Sequence, residues 1–312
     1  MSRYFVSSLL LIGVVALAAM LGVSAYAQSQ NSIAISPLTF EITANPGDVI
    51  TNAVRVFNPG QEPITVVMHV EDFAPSGETG QAVVEAPKTT TYSIASWTTI
   101  ENPEVTLGPG EQAVINHTIR VPFNAEPGGH YGALTAEARG GAAAGSGTAI
   151  SQKVASLLLV AVAGDVKEEL VISDFSGPGG IVLDASAVKF ASRFENRGSV
   201  HLKPRGFVTV TDTFGRELAT VALDQKNVLP QSRRLIETTW QPEGLVFGRM
   251  RAQLTAIYGS ANEPVAASVD FWVIPIKVIG PPLGGLILLL AFVLFFRKRL
   301  KLALGVLIRG GK

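Results

Sequence analysis

Few side chains in this sequence have the type and spacing that covalent chemistry demands. The four histidines, His69, His117, His130 and His201, fall in different extended segments, and no Cys/His metal spacing, HExxH, GxSxG, Walker loop or GxGxxG occurs. The stretch "SAVK", Ser186 to Lys189, matches a Ser-x-x-Lys pattern. That pair shares a proton only when a helix stacks the two side chains one turn apart, whereas in a strand such residues point to opposite faces. Glu71 and Asp72 are adjacent on a strand end, so they point apart and do not flank a glycosidic bond. Glu78 in "DFAPSGETGQ" joins Asp72 without the Asp-x-Asp spacing of a Ca²⁺ loop. No catalytic residue, cofactor or metal is therefore expected. Candidates for a ligand surface remain: Trp97 in "YSIASWTTI", His130-Tyr131 in "EPGGHYGALTAEA", and Asp72. An aromatic face stacks on sugar C–H groups while a flanking polar group orients hydroxyls. Large aromatics also fill sandwich cores, so both readings stay open for Trp97 and His130.

The elements that would carry these residues are strands. Short runs rich in Val, Ile, Thr and Phe, punctuated by Pro, Gly, Asn and Asp, fill the chain between its two apolar ends, which is the all-β pattern. "SIAISPLTFEI", "DVITNAVRVF", "ITVVMHV", "AVINHTIRV", "HYGALTAEA" and "SQKVASLLLVAVA" read as successive strands of a first domain. In 54–57 and 115–121 apolar and polar residues alternate, as in a sheet with one wet face. Residues 154–163 are apolar on both faces and are expected to pair back on 131–138 as a hairpin. The Gly/Ala/Ser tract 140–149 then becomes the hairpin's tip and the domain boundary falls at 164/165; the competing reading places the boundary inside the tract.

The second part of the chain echoes the first. "VRVFNPGQEPI" returns as "SRFENRGSVHL", aligning Arg55, Asn58 and Gly60 with Arg193, Asn196 and Gly198, and "LGPGEQAVINHTIRVP" and "GGHYGALTA" return as "LPQSRRLIETTWQP" and "GRMRAQLTA". Three echoes in one order indicate two copies of one unit. Asn and Gly tolerate left-handed backbone angles, so the recurring turn is expected to be a structural corner without chemistry.

The ends bound the location. Residues 1–27 carry Arg3, an apolar run and Ala25-Tyr26-Ala27, the pattern of a cleaved secretory signal. Residues 278–296 form a second apolar run, long enough for a bilayer core, with Pro281 and Pro282 near its outer end and Arg297, Lys298, Arg299 and Lys301 behind it. That order predicts a single-pass type I protein of the cell membrane, its bulk extracytoplasmic and residues 297–312 a basic cytoplasmic tail. The formal net charge is zero, yet residues 28–164 hold 5 basic and 12 acidic residues while 165–277 hold 13 of each. An acidic distal half repels polyanions, which argues against nucleic acid as a partner. Cysteine is absent, so the exported part must be held by its cores.

The stretches "ISPLTFEITANPGDVITNAVRVFNPGQEPITVVMHVEDF", "ASWTTIENPEVTLGPGEQAVINHTIRVP" and "AEPGGHYGALTAEA" together resemble the N-terminal domain of the WxL-interacting proteins of bacterial cell surfaces. The resemblance covers residues 33–164. It implies two tandem immunoglobulin-like β-sandwiches, 28–164 and 165–277, of which the first binds peptidoglycan and the second, in Gram-positive members, host ligands or partner surface proteins. The expected protein is thus a non-enzymatic, membrane-anchored surface protein that binds cell-wall peptidoglycan or a surface protein. The alternatives are a structural spacer or assembly subunit of a membrane complex, and a cell-wall hydrolase acting through Asp72 or Glu78.

Overall fold

Period-two alternation shapes most of this chain. In the strand Val188–Asn196 the side chains of Val188, Phe190, Ser192, Phe194 and Asn196 are buried while those between them are not, as a pleated strand with one face on a core requires. The computed structural model describes residues 33–85, 92–139, 152–183 and 186–309. The expected signal segment 1–27 and the tract 140–149 lie outside them.

The described residues of the first half form strands β1 (Ala34–Ser36), β2 (Thr39–Ala44), β3 (Val49–Phe57), β4 (Ile64–Ser76), β5 (Gln81–Glu85), β6 (Thr98–Ile100), β7 (Glu104–Leu107), β8 (Gln112–Arg120), β9 (Gly128–Arg139) and β10 (Gln152–Val162). One sheet runs β1-β3-β8-β6; the other runs β2-β10-β9-β4-β5, with β7 also on β4. Ile35, Val54, Val56, Ile115 and Ile119 of the first sheet meet Val66, Met68, Leu134, Leu158 and Val160 of the second in one core. The hairpin expected of β9 and β10 is present, registered from Gln152 on Ala138 to Val162 on Gly128.

The second half repeats the layering with β11 (Leu170–Ser176), β12 (Ile181–Val182), β13 (Val188–Asn196), β14 (Arg205–Thr211), β15 (Glu217–Ala222), β16 (Ser232–Trp240), β17 (Gly248–Tyr258) and β18 (Glu263–Val273). The sheets β11-β13-β16 and β12-β18-β17-β14-β15 enclose a separate core of Phe190, Phe194, Ile236, Trp240, Met250, Leu254 and Phe271.

The recurring corner is built the same way in both halves. Asn58 is fully buried; its amide donates to the carbonyls of Glu62 (2.8 Å), Leu107 (3.2 Å) and Gly108 (3.1 Å), and its Oδ1 accepts from the Gly60 N–H (2.9 Å). Asn196, equally buried, donates to Val200 and Val228 (both 2.8 Å) and accepts from the Gly198 N–H (2.8 Å). Each Asn thereby ties its own turn to a carbonyl from a remote segment; the Gly108 and Val228 carbonyls also accept backbone N–H groups, from Glu111 and Leu202.

Helix α1 (Ile276–Arg309) follows β18 after two residues, and its Ile276–Arg297 portion is long and apolar enough to cross a membrane. It starts two residues before the expected span and continues unbroken through the basic residues, about 51 Å in all. "LKLALGVLIR" consists largely of good helix formers and has no proline, and its one glycine, Gly305, costs only about 1 kcal/mol, which is why the expected tail extends the helix. Pro281 and Pro282 lie inside α1 and remove two donors near its start.

Candidate binding cleft

Strand β10 is where the first half meets the second. Leu158, Val160 and Val162 point into the first core, so Leu157, Leu159 and Ala161 point the other way, and Ala161 packs against the second core. On that outer face β2 places Thr39 beside Leu157 and Glu41 beside Leu159, while β9 places Tyr131 on the other side of Leu159. Phe73 of β4 meets the Tyr131 ring edge-on at 6.0 Å. A row Glu41, Leu159, Tyr131, Phe73 therefore crosses four strands and faces the second half.

Two attachments hold the seam. At one, the Tyr131 hydroxyl lies 3.4 Å from His201 Nδ1, and Lys203 Nζ (2.6 Å) and the Asn227 amide (2.7 Å) both donate to Glu41. Burial pulls the Glu41 carboxyl upward, but the bonds from Lys203 and Asn227 outweigh it and hold it below the usual range. Burial raises the Tyr131 phenol and lowers the His201 imidazole. The Gly129 N–H donates to Ser199 O (2.8 Å), and a Cβ on the preceding Gly128, at φ +130, would stand 2.8 Å from that oxygen, so glycine is required for this approach. At the other attachment the β4–β5 hairpin reaches across: Glu78 accepts from Arg193 Nε (2.8 Å), and its carbonyl accepts from the Leu235 N–H (2.7 Å), lengthening the β16 edge. The Glu78–Arg193 pair is more than a third exposed, so solvent screens it and it adds little to stability.

Between the attachments lies a cleft of ≈ 260 Å³. Phe73, Leu157, Leu159 and Leu229 give it apolar walls, and Lys203, Arg233 and Arg234 give it cations. Lys203 is bound to Glu41 and Arg233 to Glu195. Arg234 has no such carboxylate among the described residues: its buried Nε lacks a hydrogen-bond partner, burial lowers its basicity, and its guanidinium fills the space where a Cβ on Gly80 would stand. A guanidinium so placed can bind an anionic oxygen and recover part of its desolvation cost.

The residues singled out from sequence sit around this seam. Trp97, on a 3₁₀ turn (Ala95–Trp97), packs on the first core with its ring 4.5 Å from that of His130. His130 is buried, with Nε2 2.8 Å from Glu126 O and Nδ1 without a partner. Tyr131 is in the seam, and Asp72 is buried and accepts from the Ser93 hydroxyl (2.6 Å). Trp97 and His130 are thus brought together, and so are Tyr131 and His201. Among the described residues no group of three His, Asp or Glu is placed to hold a metal. Sequence reasoning missed Arg234, Lys203 and Glu41, which lie far apart in the chain. The two-sided apolarity of "SLLLVAV" was the available signal for the Leu157–Leu159 face.

No family model matches the chain, and no curated protein matches it. Solved structures similar to it include the YadV chaperone (12% identity, 77% of this chain and 99% of that one, TM-score 0.37). The class 5 fimbriae chaperone CfaA is similar at 14% identity, with 78% and 100% covered and a TM-score of 0.38. The CsuC–CsuE chaperone–tip adhesion subunit pre-assembly complex of Acinetobacter baumannii is similar at 13%, with 78% and 99% covered and a TM-score of 0.36. At these values no residue role passes from them to this chain.

The resemblance to the WxL-interacting proteins is corrected by these findings: no model of that family matches, and the similar solved structures include fimbrial chaperones. The physical reason is that Asn-x-Gly corners, Pro-led turns and alternating strands recur wherever a chain builds layered sheets, so those motifs carry fold and not family. The peptidoglycan-binding role rested on that resemblance and falls with it.

Proposed function

We propose that this protein is a membrane-tethered, extracytoplasmic, non-enzymatic module that holds a segment of a partner surface protein in the cleft between two β-sandwich domains, 28–164 and 165–277. The apolar α1 with its following basic residues supports a type I orientation, with residues 1–27 as the export signal. A chaperone-like or assembly-subunit role is the form this takes, in keeping with the chaperones among the similar structures. The observation that carries it is Arg234, a part-buried cation whose buried Nε has no acceptor among the described residues, at a cleft walled by Leu157 and Leu159. Apolar walls with one unsatisfied cation suit an extended, apolar peptide segment that ends in or contains a carboxylate.

A photoreactive residue at Thr39, on the cleft wall, should capture a protein in intact cells, and Arg234→Gln should cut that yield several-fold while leaving the thermal transition in place. Absence of any protein adduct at Thr39, or an undiminished yield with Arg234→Gln, defeats the reading.

A further inference from the structure

The end of the second half opposite the seam carries an apolar rim that no core absorbs. Phe214 is 94% exposed, Leu245 66%, Phe247 63% and Trp272 51%, with Ile181 and Leu183 also exposed. These residues come from four separate segments, and strand register puts them at one level. Gly248, next to Phe247, pairs with Val273; Arg249 pairs with Trp272; and Ile181 pairs with Trp272 from the other side. Thr211 pairs with Arg251, and past it the Thr213 hydroxyl donates to Arg249 O (2.8 Å), so Phe214 projects from the tip of that hairpin at the same end.

This is also the end from which α1 leaves. Only Ile274 and Pro275 separate β18 from the helix. Both sides of that joint are pinned to β12 and the residue after it: the Ile274 N–H donates to Val182 O (2.8 Å) and the Ile276 N–H to Leu183 O (3.2 Å). Two extended residues span about 7 Å, and a joint with two backbone bonds across it cannot stretch into a long linker. Any bilayer that receives α1 therefore has its surface near the end of β18, the level at which Phe247 and Trp272 stand.

We propose that this rim is a lipid-contact surface, seated in the headgroup–acyl boundary of the same bilayer that α1 enters, so that the body is footed on the membrane and not held clear of it. The inference rests on the membrane-anchor reading of α1. Trp and Phe favour that boundary because their rings are apolar while the surroundings stay wet enough for neighbouring polar groups. In water the same rim is an exposed apolar patch with nothing to bury it. The arginines nearby are already paired, Arg249 and Arg251 with Asp270 and Arg216 with Asp212. Contact therefore depends on apolar insertion and little on anionic lipid. Footing at this end points the cleft away from the bilayer, since β18 runs the length of its sheet, roughly 36 Å, from the seam to the rim.

The absence of native cysteine allows single labels on the full chain. An environment-sensitive fluorophore is placed singly at Phe214→Cys, Phe247→Cys, Leu288→Cys in α1, and Val114→Cys on the first half. Each variant is reconstituted in phosphatidylcholine vesicles, with and without phosphatidylglycerol, carrying a quencher at headgroup or upper-chain depth for the labels at 114, 214 and 247 and at the chain ends, in the bilayer centre, for the label at 288. The labels at 214 and 247 should be quenched several-fold more than the one at 114, equally in both lipid mixtures. Quenching at 288 with none at 214 and 247 overturns the footing alone. No quenching at 288 brings down the anchor reading and the footing with it. Protection at 214 and 247 that vanishes as protein is diluted in lipid assigns the rim to a second copy and also overturns it.

Discussion

The two halves share a layered plan and the Asn-x-Gly corner, but their centres differ in kind. The first core encloses His117, fully buried, edge-on to Phe40 at 5.1 Å, with neither ring nitrogen hydrogen-bonded among the described residues; burial lowers its pKa to about 4. The second core is built on aromatic contacts, Phe190 against Phe271 at 5.7 Å and against Phe175 at 6.1 Å. Its own unpaired buried atoms, the Ser192 and Thr238 hydroxyls, carry no charge at ordinary pH. The difference teaches that the corner and the strand period specify this architecture, while the centre is free to be purely apolar or to hold an imidazole that must stay neutral. The first core is consequently acid-sensitive; the second half's own part-buried imidazole, His201, is likewise lowered by burial but lies at the seam and not in its core.

The largest expected effect tests whether the halves are separable. Phe190→Ala should destabilise the second half by about 3–5 kcal/mol. Hydrogen exchange should then accelerate across β13 and β16 and stay slow across β3 and β8; equal acceleration in both would show a single cooperative unit. Next is pH. The folded pKa of His117 lies below its ordinary value of 6.5, so the unfolded chain binds the proton first as pH falls. The stability this group confers is complete above pH 6.5 and is lost progressively down to about pH 4, on the order of 3 kcal/mol in total. Denaturation of the full chain across that window should show the loss in β3 and β8, and His117→Met should flatten it. A slope unchanged by His117→Met would mean that other groups carry it. The smallest effect concerns what the halves share: Asn58→Ala and Asn196→Ala should each cost about 1–3 kcal/mol, of similar size, because each strands buried carbonyls of the same corner. A much larger loss for one would mean the two corners are not equivalent.

Much of the architecture was legible residue by residue. Alternation in "VKFASRFEN" and the two-sided apolarity of "SLLLVAV" report which faces are covered, and the Asn58 and Asn196 turns carry their own hydrogen-bond partners a few residues away. The cleft was not legible. His130, Tyr131 and Trp97 drew attention as aromatic and polar side chains, yet side-chain type alone does not say whether a ring faces a core, a neighbouring sheet or solvent. Arg234 carried no local mark at all, since the adjacent Arg233 has the same chemistry and is bound to Glu195.

By itself, then, the order of residues determined the β-period, the positions of the Asn-x-Gly turns and the long apolar helix, because each depends on neighbours within a turn or a strand. Only the tertiary structure decided that Glu41 meets Lys203 across the seam, that the buried Arg234 Nε is left without an acceptor among the described residues, and that Phe214, Leu245, Phe247 and Trp272 lie at the end of the second half from which α1 leaves. Those outcomes depend on strand register and on how one sheet packs against the next, which bring together residues that are remote along the chain.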